Sequence, residues 1–317
     1  MNFPIKFCVF TDLHYDVIPD GDRRIYELIQ DCKQKNVDFI VELGDLCNPT
    51  EENHKILRCF EDAKIPCYFS IGNHNTDFYS PETVLNFFGL KRGYYSITQG
   101  NVKFVFLDAN YIKTKSGYLP ACKLNYKKTT DQNPYIPPEQ IEWLKNEISD
   151  DQYYYIICSH QSLSNDFRIG NHSRGVVNRK EIREILERRN LNGRKILFCM
   201  NGNDHGDAVK LINGIYYYSL NSASCIWHGV KETYSYSQDI HDKYPHLKNM
   251  ILYDEPLHII VTIDEKNNVI IEGIKGHYQN ITPNDIGIGN MWNGVSIKPQ
   301  TSSLYIANEH KEKFCLL

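Results

Sequence analysis

Short apolar runs alternate with amphipathic segments through the N-terminal part of the chain. IKFCVF (5–10), DFIVEL (38–43) and PCYFSI (66–71) have the length and composition of strands. Between them, 22–35 and 51–63 carry apolar residues at helical spacing, as in Ile25, Leu28, Ile29 and Cys32. Strand, helix, strand, helix, strand predicts crossover units and a parallel sheet. The pattern then changes. Residues 94–99 and 102–108 flank Gly100-Asn101, a hairpin turn. Pro137-Pro138 opens a helix with Ile141, Leu144 and Ile148 on one face. YYYIICS (153–159) and KILFCM (195–200) are further strands. Asn178 and Glu181 have capping-box spacing before Ile182, Ile185 and Leu186. Asn213-Gly214 and Asn267-Asn268 mark two more hairpins. The prediction is an α/β fold of two packed sheets with helices outside, in a single domain over 1–317. Strands near 257–275 complete the second sheet, and 285–317 form a tail or extra strands.

Composition narrows the class. With 41% apolar and 23% charged residues, 317 residues can bury a sizeable core, which excludes a disordered chain, a collagen or a disulfide miniprotein. Thirty-five basic against 39 acidic side chains leave a net charge of −4, against the basic surface of a general nucleic-acid binder. The longest uncharged stretch, Leu211 to Val230, is broken by asparagines, serines and His228, so no membrane span is expected. The N-terminus shows no apolar leader, and Cys315, third from the end, gives no prenylation box. The ten cysteines are scattered without a CxxC pair, which reads as reduced thiols in a cytoplasmic protein.

The chemistry lies where the apolar runs end. IKFCVFT is followed by Asp12-Leu13-His14, DFIVELG by Asp45, PCYFSIG by Asn73-His74, YYYIICS by His160, and KILFCMNG by Asn203-Asp204-His205. A lone histidine or aspartate at a strand end is an ordinary turn residue. Five coincident strand ends are not, because ligand sites of open α/β sheets lie beyond the carboxyl ends of the strands. Gly44, Gly72 and Gly202 suit sharp exits of the backbone. Mixed imidazole, carboxylate and amide donors without cysteine favour manganese, iron or zinc, with donors enough for two ions sharing a carboxylate.

The series Asp12-x-His14, Gly44-Asp45, Gly72-Asn73-His74, His160 and Gly202-Asn203-Asp204-His205 resembles the calcineurin-like metallophosphoesterase family. The resemblance implies a four-layer α/β/β/α sandwich of two mixed sheets, with two divalent or trivalent metal ions (Mn, Fe or Zn) at the C-terminal edge of the strands. It assigns Asp12, His14 and His205 to the first ion, Asp45 to both, and Asn73 and His160 to the second. His74 assists the phosphate and the leaving group. The implied reaction is hydrolysis of a phosphate ester or anhydride, by in-line attack of a hydroxide bridging the ions. Two positions depart from the family pattern. Asn75 stands where an acid orients the catalytic histidine. Asn203 stands where the family has a histidine ligand of the second metal. An amide oxygen is a weaker partner than imidazole for these metals, which leaves open a partly filled site, a preference for a harder ion, or loss of the site.

Substrate contacts are less legible. The basic stretch 113–128, with Lys113, Lys115, Lys123, Lys127 and Lys128, either meets an anionic substrate or is a solvated loop. Arg168, His172 and Arg174 follow His160 closely and are candidate substrate contacts. His228 is a weaker candidate. The expected function is that of a small-molecule phosphodiesterase or nucleotide pyrophosphatase. The alternatives are a phosphomonoesterase or, in another class, a binding or scaffold protein that keeps the fold with a weakened second site. The expected partner is a small phosphorylated substrate, with neither membrane nor specific nucleic acid.

Overall fold

The computed structural model describes residues 4–128, 132–169 and 172–308. Cys315 and the side chain of His172 lie outside the described part. The first strands are β1 (Ile5–Phe10), β2 (Phe39–Glu42) and β3 (Cys67–Phe69), joined by helices α1 (Gly21–Gln34) and α2 (His54–Ala63). All three are parallel neighbours, as the crossover pattern requires. The turn before α2 is a 3-10 segment, Glu51–Asn53. α3 (Pro81–Phe87) begins with Ser80 capping the Thr83 amide.

A second sheet holds β4 (Tyr95–Gln99), β5 (Val102–Leu107), β6 (Tyr154–Ser159), β7 (Ile196–Asn201), β8 (Ala208–Ile212) and β9 (Ile215–Ser219). Its order is β8-β9-β7-β6-β5-β4, with β5, β6, β7 and β9 parallel and a hairpin at each edge. Helices α4 (Pro138–Glu147) and α5 (Arg179–Arg189) cover it. β10 (Ile259–Ile263), β11 (Val269–Gly273) and β12 (Leu304–Ile306) end the chain's large strands.

These last strands correct one expectation. They do not complete the second sheet; β10 pairs antiparallel with β1, and the first sheet runs β12-β11-β10-β1-β2-β3. Apolar runs fit either sheet, and strand pairing is not encoded in them. The Asn267-Asn268 turn is also longer than two residues, since Ile263 pairs with Val269. The capping box at α5 does not form either. Asn178 uses its amide on both polar groups of the Ile136 backbone, and its side chain caps no amide of α5.

The strands are apolar on successive residues because both faces are buried. Phe7 and Val9 of β1 face Phe104 and Phe106 of β5 between the sheets, while Cys8 and Phe10 face α1 and α2. Val105 and Leu107 face α4 and α5 on the other side. Phe7 spans the inter-sheet layer, stacked on Phe39 at 5.1 Å and edge-on to Phe104 at 5.0 Å. Helix, sheet, sheet, helix is therefore the layer order, and the parallel strands of both sheets deliver their C-terminal ends to one rim.

Candidate metal centre

The loops leaving β1 and β2 are zipped together. Asp12 N bonds Gly44 O at 2.9 Å and His14 N bonds Asp45 O at 2.9 Å. Asp12, His14, Asp45, Asn203 and His205 all have left-handed backbones, with φ between 49° and 63°. Such values are uncommon for residues with a side chain and cluster where a site holds the chain in place. Gly44 has φ 107°, but Gly72 and Gly202 do not share the left-handed region; they are needed for close approach. A Cβ at Gly72 would collide with the Asp45 carboxylate, and one at Gly202 with Thr11.

Two overlapping groups of donors result: Asp12, His14 and His205, and Asp12, Asp45 and His160, each with ligand atoms within 4.8 Å of one another. In the first, His205 Nε2 lies 3.2 Å from Asp12 Oδ1 and 3.1 Å from His14 Nε2. In the second, His160 Nε2 lies 3.1 Å from Asp45 Oδ2 and 3.1 Å from Asn73 Oδ1. Asp45 Oδ2 is also 3.9 Å from His14 Nε2, so this carboxylate faces both groups.

The donor chemistry fits cations. His205 Nδ1 is 2.6 Å from Cys225 O, and His160 Nδ1 is 2.8 Å from Leu43 O. A carbonyl can only accept, so each Nδ1 carries the proton and each Nε2 turns a lone pair to the centre. Asp12 Oδ1 is buried without a hydrogen-bond partner. Its Oδ2, by contrast, accepts from Thr11 Oγ1 and Asn203 N. Lone pairs aimed at one another need a positive charge between them. Where no cation is bound, a proton on Nε2 meets the same demand for positive charge. Burial opposes charge, yet Asp45 pushes His160 up to about 9, and Asp12 raises His205 well above the ordinary imidazole range.

His74 stands beside these groups without joining either. Its N–H donates to Asp45 Oδ1 at 2.9 Å, and its Nδ1 is 2.7 Å from Asp77 Oδ2. The ring is part of the wall of a cavity of about 110 Å³, together with Asp45, Asn73, Arg174, Asn203, His205, Trp227 and Trp292. A second cavity of about 190 Å³ shares Asn73, Arg174 and Asn203 with it and continues past Tyr111 and Tyr126. A larger groove of about 810 Å³ near α2 and α3 holds none of the ligand residues.

Asn203 reaches the cavity wall, but its Nδ2 donates to Arg174 O at 3.1 Å, while Arg174 Nη2 donates to Asn203 O at 2.9 Å. The two residues clasp each other across the rim. Arg168 is exposed on the two-residue strand Arg168–Ile169, outside the lining of both cavities. The backbone of His172 pairs with Ile169. His228 is buried, its Nδ1 accepting from Val230 N. Its neighbour Trp227 is the residue that meets the site, with its ring nearly parallel to His74 at 6.2 Å. Sequence reasoning missed Trp227 and Asp77. The first had a signal, the end of an apolar run at 225–227; the second had one in its spacing of three from His74.

A family model described as calcineurin-like phosphoesterase matches residues 5–199. The chain belongs to the calcineurin-like phosphoesterase family. The match covers the strand ends that carry Asp12 through His160. A crystal structure of a dimetal phosphatase from Danio rerio is similar at 12% identity and TM-score 0.60, covering 97% of this chain and 100% of that one. GAP50 of Plasmodium, described as the anchor in the inner membrane complex, is similar at 14% identity and TM-score 0.54, covering 89% and 90%. At these identities the likeness concerns the fold. No curated protein sequence matches the chain. The family is one of phosphoesterases acting on phosphorylated substrates, and the family together with the donor groups indicates divalent metal ions. No helix among the described residues is long and apolar enough to cross a membrane.

Proposed function

We propose that this chain hydrolyses phosphate esters or anhydrides of small molecules, as a phosphodiesterase or nucleotide pyrophosphatase. Asp12, His14 and His205 would hold one ion, Asn73 and His160 a second, and Asp45 both, with manganese, iron or zinc suiting the donors. The observation that carries the reading is Asp45 Oδ2, 3.1 Å from His160 Nε2 and 3.9 Å from His14 Nε2. When bound, such ions lower the pKa of water toward neutrality and offset charge on phosphoryl oxygens.

The chain's own residues do the rest. His74 turns Nδ1 to Asp77, which leaves Nε2 to donate a proton to the departing oxygen. Burial works against its charge, but Asp45 and Asp77 raise its pKa, so the donor form is favoured. Arg174 lines the cavity over the ligands and suits a phosphoryl oxygen. Trp227 and Trp292 wall the same cavity against water. Arg168 and His172 are kept as weaker substrate contacts. A single domain over 1–317 goes with this reading, supported by β12 pairing within the first sheet. So does a cytoplasmic setting, supported by the nine cysteines among the described residues, all of them free.

Asn203 favours a second reading. An amide oxygen at this position is a weaker donor than imidazole, which weakens the second set, and the Plasmodium neighbour is named for anchoring. On that reading the chain is a binding or scaffold protein. The test is turnover by manganese-loaded protein of bis(p-nitrophenyl) phosphate, p-nitrophenyl phosphate and a nucleoside diphosphate sugar. Preference for the first or third supports the proposal, and preference for the second makes it a monoesterase. Metal binding without turnover of any leaves the scaffold.

A further inference from the structure

Asn75 occupies the place of the orienting acid but is committed elsewhere. It is 1% exposed, its Oδ1 accepts from Gly72 N at 2.7 Å and Asp45 N at 3.3 Å, and its Nδ2 donates to Cys47 O at 2.9 Å. It ties the two ligand loops together and has no acid to offer. Three residues after His74, where a 3-10 turn brings side chains into line, Asp77 Oδ2 meets His74 Nδ1 at 2.7 Å. The Asp77 side chain is 9% exposed, and its other oxygen accepts the hydroxyl proton of Tyr126. Tyr126 belongs to the turn Asn125–Lys128 in the basic stretch. The same stretch docks on the His74 turn through Lys123 N to Thr76 O, 3.0 Å. Tyr126 also lines the cavity of about 190 Å³ that continues from the ligand cavity.

We propose that Asp77 is the positioning residue of His74 in this chain, and that Tyr126 makes that positioning depend on the basic stretch 113–128. The carboxylate fixes the tautomer and the ring plane, with Trp227 lying along the ring's other side. The tyrosine hydroxyl keeps the carboxylate from turning away. A leaving group that fills the adjoining cavity rests against the residue that holds this chain of contacts. The basic stretch is then part of the catalytic apparatus rather than a solvated loop. The proposal rests on the reading of His74 as proton donor.

The experiment uses full-length, manganese-loaded protein and aryl methyl phosphates that release either p-nitrophenol or phenol. Asp77→Asn should lower kcat for the phenol ester by about 10–100-fold, the scale of lost supporting hydrogen bonds, with KM and metal content unchanged. The p-nitrophenol ester, whose leaving group needs little protonation, should be affected far less. Tyr126→Phe, one contact further from the ring, should show the same dependence on leaving group at about 3–10-fold, below the scale of a direct supporting contact. Asp77→Glu should recover part of the loss. Added to His74→Gln, Asp77→Asn should cost nothing more, because the two act as a unit. In proton NMR of the zinc-loaded protein, whose ion is diamagnetic, a downfield His74 Nδ1 proton should be present in the parent and absent in Asp77→Ala, which has no acceptor to hold it. A loss equal for both esters, or additive with His74→Gln, overturns the proposal. If His74→Gln itself leaves both esters unaffected, the proton-donor reading fails instead. Persistence of the imidazole proton in Asp77→Ala then overturns the Asp77 contact by itself.

Discussion

Asp12, His14 and His205 form one side of the centre, and Asp45, Asn73 and His160 the other. Both sides anchor an imidazole on a backbone carbonyl, Cys225 O for His205 and Leu43 O for His160. They differ in charge and enclosure. The first side has the Asp12 carboxylate, 0% exposed, with its backbone carbonyl held by the hydroxyls of Ser222 and Ser224. The second shares Asp45 and lies at the edge of Asp12, adds a half-buried neutral amide at Asn73, and has Asn203 donating its Nδ2 to Arg174 O. A cation gains most where a charge faces it alone in a buried setting. On the proposed reading, the comparison teaches that one fold edge would carry a strong and a weak site side by side, and sequential filling is expected.

The widest break is to remove what the sides have in common. Asp45→Ala should strip both ions at limiting metal and lower turnover by more than about 10³-fold, beyond the scale of one lost oxyanion donor. Metal analysis alongside circular dichroism checks this, and near-normal metal content would put the centre elsewhere. Next, His74→Gln should reduce kcat by roughly 10²–10⁴ while both sides keep their metal. Parallel loss of metal would make His74 a ligand.

Asn203→His sharpens the comparison by making the sides more alike. The second ion should bind at about tenfold lower concentration, the low end of what one supporting group is worth. Calorimetric titration would show it, and an unchanged second step would mean that residue 203 does not face the ion. The smallest effect lies beneath both sides. Glu42 is fully buried and holds Gly44 N at 2.9 Å, and burial drives its pKa well above the ordinary carboxylate value. The unfolded chain therefore releases this proton first as pH rises. The contribution to stability is intact in acid and is lost through the window between the ordinary and the raised pKa. Glu42→Gln should melt higher than the parent above neutrality and converge with it in acid, in metal-free melts.

The sequence made the strand ends legible because parallel strands buried on both faces are uninterrupted apolar runs, and the first polar residue after each run is conspicuous. Phe7 and Cys8 face opposite layers, yet both are apolar, so the runs carry no record of sheet partner; β10 was assigned to the wrong sheet for that reason. Among the residues that the structure gathers at the rim, those adjacent to a run are legible in the sequence. Asp77 is not, because it reaches His74 through a local turn, and Asn75 conceals the shift by occupying the expected place. Asn178 shows the converse, a correct spacing whose side chain is drawn to a distant backbone.

Each donor set draws its residues from both sheets. Asp12 and His14 follow β1 and are joined by His205 after β7. Asp45 and Asn73 follow β2 and β3 and are joined by His160 after β6. A cation bound on either side would therefore be a cross-link between the sheets, placed at one rim of the sandwich where no strand pairing among the described residues joins them. Unfolding would break that link, so bound metal should stabilise the native state by mass action. A chelator should act there as a selective solvent of the sandwich, speeding amide exchange at the C-terminal ends of β1, β2, β6 and β7 before it reaches the opposite rim.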